Sequence, residues 1–282
     1  MARSVLVTGA NSGIGRATAF ELARAGYDVV GTARSADKAA GLRDEASAAG
    51  LTVRTVLGDV SDAEDCARMV AETEVLTDGG PWALVNNAGY AQAGAIEDVD
   101  DAAARAQLEV NLVAPVRLAR LVLPGMRRAG GGRIVNISSL AGRVSSPMAG
   151  WYAASKHGLE AASDALRIEL DSSGIRVILI EPGGFGTGIW GDAKVPAEPA
   201  DPSYAAAYAR TQQVTGRLGT LFPDPVWVGR VVRVALASPL PLARYLVGVD
   251  AVGSVLGEKL LPTRVTDYVK GLAAGLRRLP LR

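Results

Sequence analysis

The sequence of 282 residues contains one cysteine and one histidine. Cys66 has no second thiol in the chain to pair with, so nothing points to an oxidising compartment. With so few sulfur and imidazole groups, no metal centre of the usual ligands is expected. No apolar run reaches roughly 18 residues without a charge, which argues against a membrane span. The chain enters a strand almost at once, at Ser4-Val5-Leu6-Val7, without the long apolar region of a secretory signal, so a cytoplasmic setting is expected. A net charge of +1 gives no pull toward nucleic acid or acidic partners. What is present is ordinary for a folded, water-soluble chain: 49% hydrophobic and 21% charged residues, and no low-complexity linker or internal repeat. One domain spanning 1–282 is expected.

Strand-length apolar runs alternate with helical patterns from the first residues onward. Strands are expected near 4–8, 27–33, 51–57, 82–85, 133–138, 175–181 and 244–247. Helices are expected over 14–25, 36–49, 61–76, 100–128, 151–172 and 226–237. Ser61 reads as an N-cap with Glu64 completing a capping box, and Pro115 as a kink or division of the long fourth helix. Near-continuous apolar strands between helices give an α/β protein whose parallel sheet is covered on both faces. From Gly183 to about Pro225 the pattern dissolves into Gly, Pro and Ala, as in a binding loop or lid over about 188–225. An extension over about 250–282 carries a helical stripe of Val265, Tyr268, Val269, Leu272, Leu276 and Leu279. The stripe is expected to pack on its own domain, with a membrane surface or a partner as alternatives.

Two features carry chemistry. Thr8-Gly9-Ala10-Asn11-Ser12-Gly13-Ile14-Gly15 joins the first strand to the first helix, where glycines admit a pyrophosphate and the helix N-terminus supplies amide donors. Its G-x3-G-x-G spacing differs from the G-x-G-x-x-G dinucleotide fingerprint. Farther on, Tyr152 and Lys156 are four residues apart and leave one face of a helix. A phenol is a poor acid near neutrality, and an adjacent ammonium favours its ionised form, so the pair reads as a tuned proton donor and acceptor. With seven tyrosines and five lysines in the chain, the pair by itself is weak.

The remaining motifs strengthen it. Asn86-Asn87-Ala88-Gly89 follows the fourth strand, Asn111 opens an N-L-x-x-P stretch, Ser139 stands 13 residues before Tyr152, and Pro182 to Thr187 reads P-G-x3-T. Together with the glycine loop and Tyr152-x3-Lys156, these resemble the short-chain dehydrogenase/reductase family over roughly residues 3 to 248. The resemblance implies a Rossmann-like, doubly wound sheet of seven parallel strands in the order 3-2-1-4-5-6-7, with helices on both faces. It implies catalytic roles for Asn111, Ser139, Tyr152 and Lys156, with Ser138 the runner-up to Ser139. Tyr152 would protonate the substrate carbonyl, Ser139 would hold its oxygen, and Lys156 would lower the phenol pKa and bind the cofactor ribose. Asn111 would hold a water linking Lys156 to solvent. Cofactor contacts are implied for Gly9, Asn11, Ser12, Gly13, Ile14, Gly15, Asp59, Val60, Asn87, Ala88, Gly89, Tyr152, Lys156, Pro182, Gly183 and Thr187.

The end of the second strand bears on the cofactor's phosphate. NAD enzymes usually place a carboxylate there, but here Ala33 is followed by Arg34, which suits a 2′-phosphate. NADP(H) is therefore expected, although the glycine loop carries no second cation. His157 points away from Lys156 and is expected to be structural, and Cys66 to be inert. Ala141, Val144, Met148, Ala149, Trp151, Trp190, Tyr204 and Phe222 are expected around the substrate, with Arg143 available to an acidic group. The small-molecule substrate expected is a lipophilic or aromatic ketone or its alcohol, handled by a homodimer or homotetramer built on the helices near 100–128 and 151–172. Epimerase or dehydratase chemistry on the same fold, or a non-catalytic NADP-binding regulator, are the rival readings.

Overall fold

The computed structural model describes residues 2–187, 189, 199–221 and 223–277, the side chains of 214–221 excepted. Its seven strands are all parallel and lie in the order β3-β2-β1-β4-β5-β6-β7, as the motifs implied. In chain order the elements are β1 (Ser4–Val7), α1 (Gly13–Arg24), β2 (Asp28–Ala33), α2 (Ala36–Ala48), β3 (Arg54–Leu57), α3 (Ala63–Thr77) and β4 (Ala83–Asn86). There follow α4 (Asp101–Leu108), a π-helical turn (Glu109–Val113), α5 (Ala114–Arg128), β5 (Gly132–Ile137), α6 (Gly150–Glu169) and β6 (Ile175–Pro182). The chain continues through α7 (Ala205–Leu221), α8 (Val226–Ala237), β7 (Arg244–Val247), α9 (Val249–Leu260) and α10 (Thr263–Ala274).

Alternation along each strand divides the core in two. Val5, Val7, Val29, Ala83, Val85, Val135, Ile137, Ile178 and Ile180 face one layer, where α1, α2 and α8 contribute Leu22, Leu42, Val228 and Val232. Leu6, Val30, Val56, Leu84, Ile134 and Val177 face the other, against Met69 of α3 and Leu118 and Val122 of α5. Burial on both faces explains why these strands show little polar alternation in the sequence. The strand order reverses between β1 and β4, so the loops after their C-terminal ends diverge and leave a crevice there.

Two local expectations change and one is met. The cap of α3 is Asp62, whose carboxylate accepts from the Glu64 and Asp65 amides, because Ser61 is instead turned onto Asp59 Oδ1. The long helix expected over 100–128 is divided, as expected near Pro115, by the π turn that ends two residues before it, and Pro115 sits in the first turn of α5. The stretch expected to be irregular up to Pro225 contains α7, which buries Ala207 and Tyr208 against Ala95 and Met148.

Candidate active site

The loop from β1 to α1 is shaped by backbone contacts that tolerate no side chains. Gly9 and Gly13 have φ of +63° and +51°, in the left-handed region that glycine occupies without strain. A Cβ on Gly15 would overlap the Gly9 carbonyl oxygen and the Asn87 side-chain amide. That amide donates to the carbonyls of Thr8 (2.9 Å) and Gly9 (3.2 Å). Thr8 Oγ1 in turn accepts from the amides of Asn87 (2.9 Å) and Ala88 (3.0 Å). The glycine loop and the loop after β4 are thus one unit, standing over the N-terminus of α1. Ser12, the N-cap, makes no side-chain capping bond, so the amides of the first turn face the crevice as anion donors.

The crevice is a cleft of about 670 Å³. Gly9, Asn11, Ser12, Gly13, Ile14, Arg34, Asp59, Val60, Asn87, Ala88, Gly89, Ser139, Tyr152, Lys156, Pro182, Gly183 and Thr187 all line it. Gly15 and Asn111 do not, although both act on its walls. Sequence reading missed Lys38, which lines the cleft from the first turn of α2, four residues after Arg34. A lone lysine on a polar helix reads as a solvated charge, and Arg34 stands before that helix, so no helical spacing tied the two together in the sequence. Tyr90, Glu109 and Val110 were missed as well. The backbone turns, the open helix end and two neighbouring cations fit a dinucleotide with a phosphate on its ribose.

At the far end of the cleft, α6 presents Tyr152 and Lys156 on its buried face. The Lys156 ammonium donates to the Ile137 carbonyl (2.8 Å) and lies 5.9 Å from the Tyr152 ring centre. Burial pulls the Lys156 pKa down to about 8, with the Glu160 carboxylate opposing the shift. Burial also pushes the Tyr152 phenol up, while a hydrogen bond with the Ser139 side chain draws it back down. Ser139 is fixed at the start of a short 3-10 turn, its Oγ accepting from the Ala141 amide (3.1 Å).

Asn111 is fully buried in the π turn. Its side-chain amide donates to the Tyr90 carbonyl (3.0 Å) and Ser155 Oγ (3.1 Å), and its oxygen accepts from the Tyr90 amide (3.2 Å). The side chain thus pins the Gly89-Tyr90 turn to α6 beside Lys156. His157 is exposed and bonded to the Ala153 carbonyl of its own helix. Cys66 is buried, its thiol raised above the ordinary range by desolvation.

Behind Lys156 lies a charged network that nothing in the sequence pattern announces. Arg244 of β7 reaches Glu160 Oε2 (3.0 Å), Asp164 Oδ2 (2.6 Å) and Glu181 Oε1 (3.2 Å). Arg143 also pairs with Glu181 Oε1 (3.1 Å), so it is committed within the fold and is not available to an acidic substrate. The network ties the loop after Ser139 to α6 and to the end of β6. Arg244→Met leaves Glu160 buried without its counter-charge and Glu181 with Arg143 alone. The expected cost is about 3 kcal/mol at about pH 7, shrinking toward about pH 5, measured by urea unfolding. The sign follows from burial, which already raises the Glu160 pKa. A raised carboxyl pKa means the folded state holds the proton more tightly, so stability is lost as pH rises through that range.

Of the residues expected around the substrate, Ala141, Val144, Met148, Ala149, Trp151 and Tyr204 do not line the cleft. Met148 adopts φ +65° and its carbonyl accepts from the Gly94 amide (2.8 Å), strapping the 140–150 loop to the segment after β4. Met148 and Tyr204 meet in a small apolar cluster with Ala95, Ala207 and Tyr208. Val144 is buried, and Trp151 donates to the Ile96 carbonyl (3.4 Å). Trp190 and Phe222 lie outside the described residues. The start of α9 closes the site from below: Asp250 accepts from the Gly184 amide (2.6 Å), and a Cβ on Gly183 would overlap that carboxylate.

Residues 3–196 match the short chain dehydrogenase family. The NADPH-dependent 3-dehydrocapnine reductase of Ornithobacterium rhinotracheale is 33% identical over 274 residues, covering 95% of this chain and 95% of its own length. The 3-ketodihydrosphingosine reductase of Bacteroides thetaiotaomicron is 33% identical over 245 residues, covering 86% of this chain and 87% of its own. The crystal structure of a short-chain dehydrogenase from Streptomyces avermitilis aligns with a TM-score of 0.81 at 34% identity and covers 98% of both chains. With the sheet order, the glycine loop and the Tyr152–Lys156 face in place, these matches establish that the chain belongs to the short-chain dehydrogenase family of nicotinamide-dependent oxidoreductases.

Proposed function

We propose that the protein is an NADP(H)-dependent reductase of a lipophilic ketone or aldehyde, able to run the reverse oxidation of the alcohol. The observation that carries this reading is the buried pair Tyr152 and Lys156, with the half-buried Ser139 hydrogen-bonded to Tyr152, on the wall of a cleft that fits a dinucleotide. Bound there, the nicotinamide supplies the hydride in reduction and takes it in oxidation. Tyr152 gives its phenol proton to the carbonyl oxygen as charge grows on that atom. Ser139 donates a second hydrogen bond to the same oxygen, a neutral donor placed where negative charge develops. The Lys156 ammonium stabilises the phenolate left behind and holds the ribose, while Asn111 keeps the Tyr90 turn and Ser155 in register. Thr187 and Gly183 bound the nicotinamide end, and Asp59 and Val60 the adenine end.

Relatives named for reducing 3-dehydrocapnine and 3-ketodihydrosphingosine support a lipophilic substrate. Exposed Val113, Val116 and Ile168 on the expected pairing helices support a homo-oligomer. The phosphate preference is tested by comparing kcat/KM for NADPH and NADH. Wild type is expected to favour NADPH, and Arg34→Ala to lower the ratio by about tenfold or more, the worth of one charge-assisted phosphate contact. Lys38→Ala lowers it further, and a wild type that prefers NADH contradicts the assignment.

A further inference from the structure

The C-terminal helices form a hairpin that the site does not account for. Its inner side is buried through Ala251 and Val255 of α9 and Thr266 and Gly271 of α10. Its outer side is apolar: Leu256 (51% exposed), Leu260 (77%), Leu261 (49%), Val265 (44%) and Val269 (55%) stand in solvent. Residues 256 and 260, and 261, 265 and 269, recur at i+4, so each helix shows one continuous stripe and the two meet at the turn. Of the stripe expected to pack on its own domain, Tyr268 and Leu272 are half-buried where α10 rests on α7 and Arg210 donates to the Leu272 (2.7 Å) and Ala273 (3.1 Å) carbonyls, while Val265, Val269 and Leu276 are exposed and Leu279 lies outside the described residues.

Charge decides between possible occupants of this face. Residues 249–282 carry six cations (Lys259, Arg264, Lys270, Arg277, Arg278, Arg282) against three carboxylates (Asp250, Glu258, Asp267), a net of +3 in a chain whose total is +1. The remainder of the chain is therefore net negative. Two of those three acids are engaged, Asp250 with the Gly184 amide and Glu258 with Lys270 (2.7 Å). Lys259 and Arg264, which bracket the exposed Leu260-Leu261-Pro262 turn, have no ion-pair partner among the described residues. An apolar tip between two free cations matches the layering of an anionic bilayer, acyl chains below phosphates. Among the described residues no helix is long and apolar enough to cross a membrane, so such contact is confined to the surface.

We propose that the α9–α10 hairpin docks on an anionic lipid surface, with Leu260 and Leu261 entering the acyl boundary and Lys259 and Arg264 gripping the phosphates. The hairpin packs on α7 of the lid and, through Asp250, on the Gly183-Gly184 loop, so docking sets the substrate side of the cleft against lipid. The cleft then takes its long-chain carbonyl substrate from the bilayer. This last step rests on the reductase reading given above.

The test uses the full chain with vesicles of phosphatidylcholine alone or with about 30 mol% phosphatidylglycerol. Wild type is expected to sediment with the anionic vesicles at least about tenfold more than with the neutral ones, and less as salt is raised. Leu260→Glu/Leu261→Glu is expected to lose at least about tenfold of that binding while reducing a water-soluble ketone at the wild-type rate. Lys259→Ala/Arg264→Ala, which leaves the apolar tip intact, is expected to lose the preference for anionic lipid. Vesicle binding that is absent, or equal in wild type and both variants, overturns the proposal. So does a leucine variant that binds vesicles normally but drops to a smaller oligomer on sizing, which would assign the face to a second copy. If wild type binds anionic vesicles as described but reduces no ketone, docking stands and the reductase reading falls. If it reduces ketones and ignores vesicles, docking alone falls.

Discussion

Tyr152→Phe is expected to lower kcat/KM for carbonyl reduction by about 10²–10⁴-fold, the usual worth of a positioned general acid. The substitution removes one hydroxyl from a side chain that is 4% exposed and keeps the ring in place on α6, so the fold and the cleft are preserved. Ser139 loses its hydrogen-bond partner on Tyr152 but keeps the Ala141 amide, which holds its orientation. The Kd for NADPH, read by fluorescence titration, is therefore expected to stay within about threefold of wild type, the loss of at most one weak contact. The split between intact binding and lost turnover separates proton donation from a structural role. Wild-type turnover in Tyr152→Phe would remove Tyr152 from the reaction and open the way to the epimerase or regulator readings.

Gly15→Ala is expected to raise the NADPH Kd by about 10- to 100-fold, through the overpacking of about 1–3 kcal/mol that a crowded methyl causes. Neither neighbour of the new Cβ can yield cheaply. The Gly9 carbonyl belongs to a residue already at positive φ, and the Asn87 amide is committed to two carbonyls. Relief requires the glycine loop to part from the loop after β4, which moves the α1 amides from their place beneath the cleft. Titration of Gly15→Ala against NADPH tests this, and an unchanged Kd would show that the two loops are not coupled as described.

Much of this architecture was legible in the sequence because it rests on local patterns. Apolar strands such as Val5-Leu6-Val7 and Ala83-Leu84-Val85 announce burial on both faces, and the helix over Val226–Ala237 and the strand over Arg244–Val247 were placed at the observed residues. The motifs were legible because glycine turns and a Tyr-x3-Lys pair have fixed local geometry. What escaped depends on contacts between distant segments. Helix α7 is rich in alanine and glycine and shows no strong stripe, and its described inner face exists only because Ala95 and Met148 lie opposite. Arg143 looked free because its partner Glu181 stands 38 residues on. Gly183 looked like part of a cofactor motif, yet its missing side chain also makes room for Asp250 from the extension. The shared buried face of Tyr152 and Lys156 was legible from their spacing, whereas the hydrogen bond between Tyr152 and Ser139 joins two elements.

The central claim is that Tyr152 donates a proton with Lys156 as its charged neighbour. The most direct measurement is kcat/KM for NADPH-dependent ketone reduction as a function of pH. Lys156 is charged below about 8 and loses its proton above it. The phenolate formed when Tyr152 gives up its proton is then unsupported, so the rate is expected to hold below about 8 and fall about tenfold per unit above it. In Tyr152→Phe the residual rate is expected to lose this dependence. A wild-type profile that stays flat from about 7 to about 10, or a variant that keeps the same fall, contradicts the account.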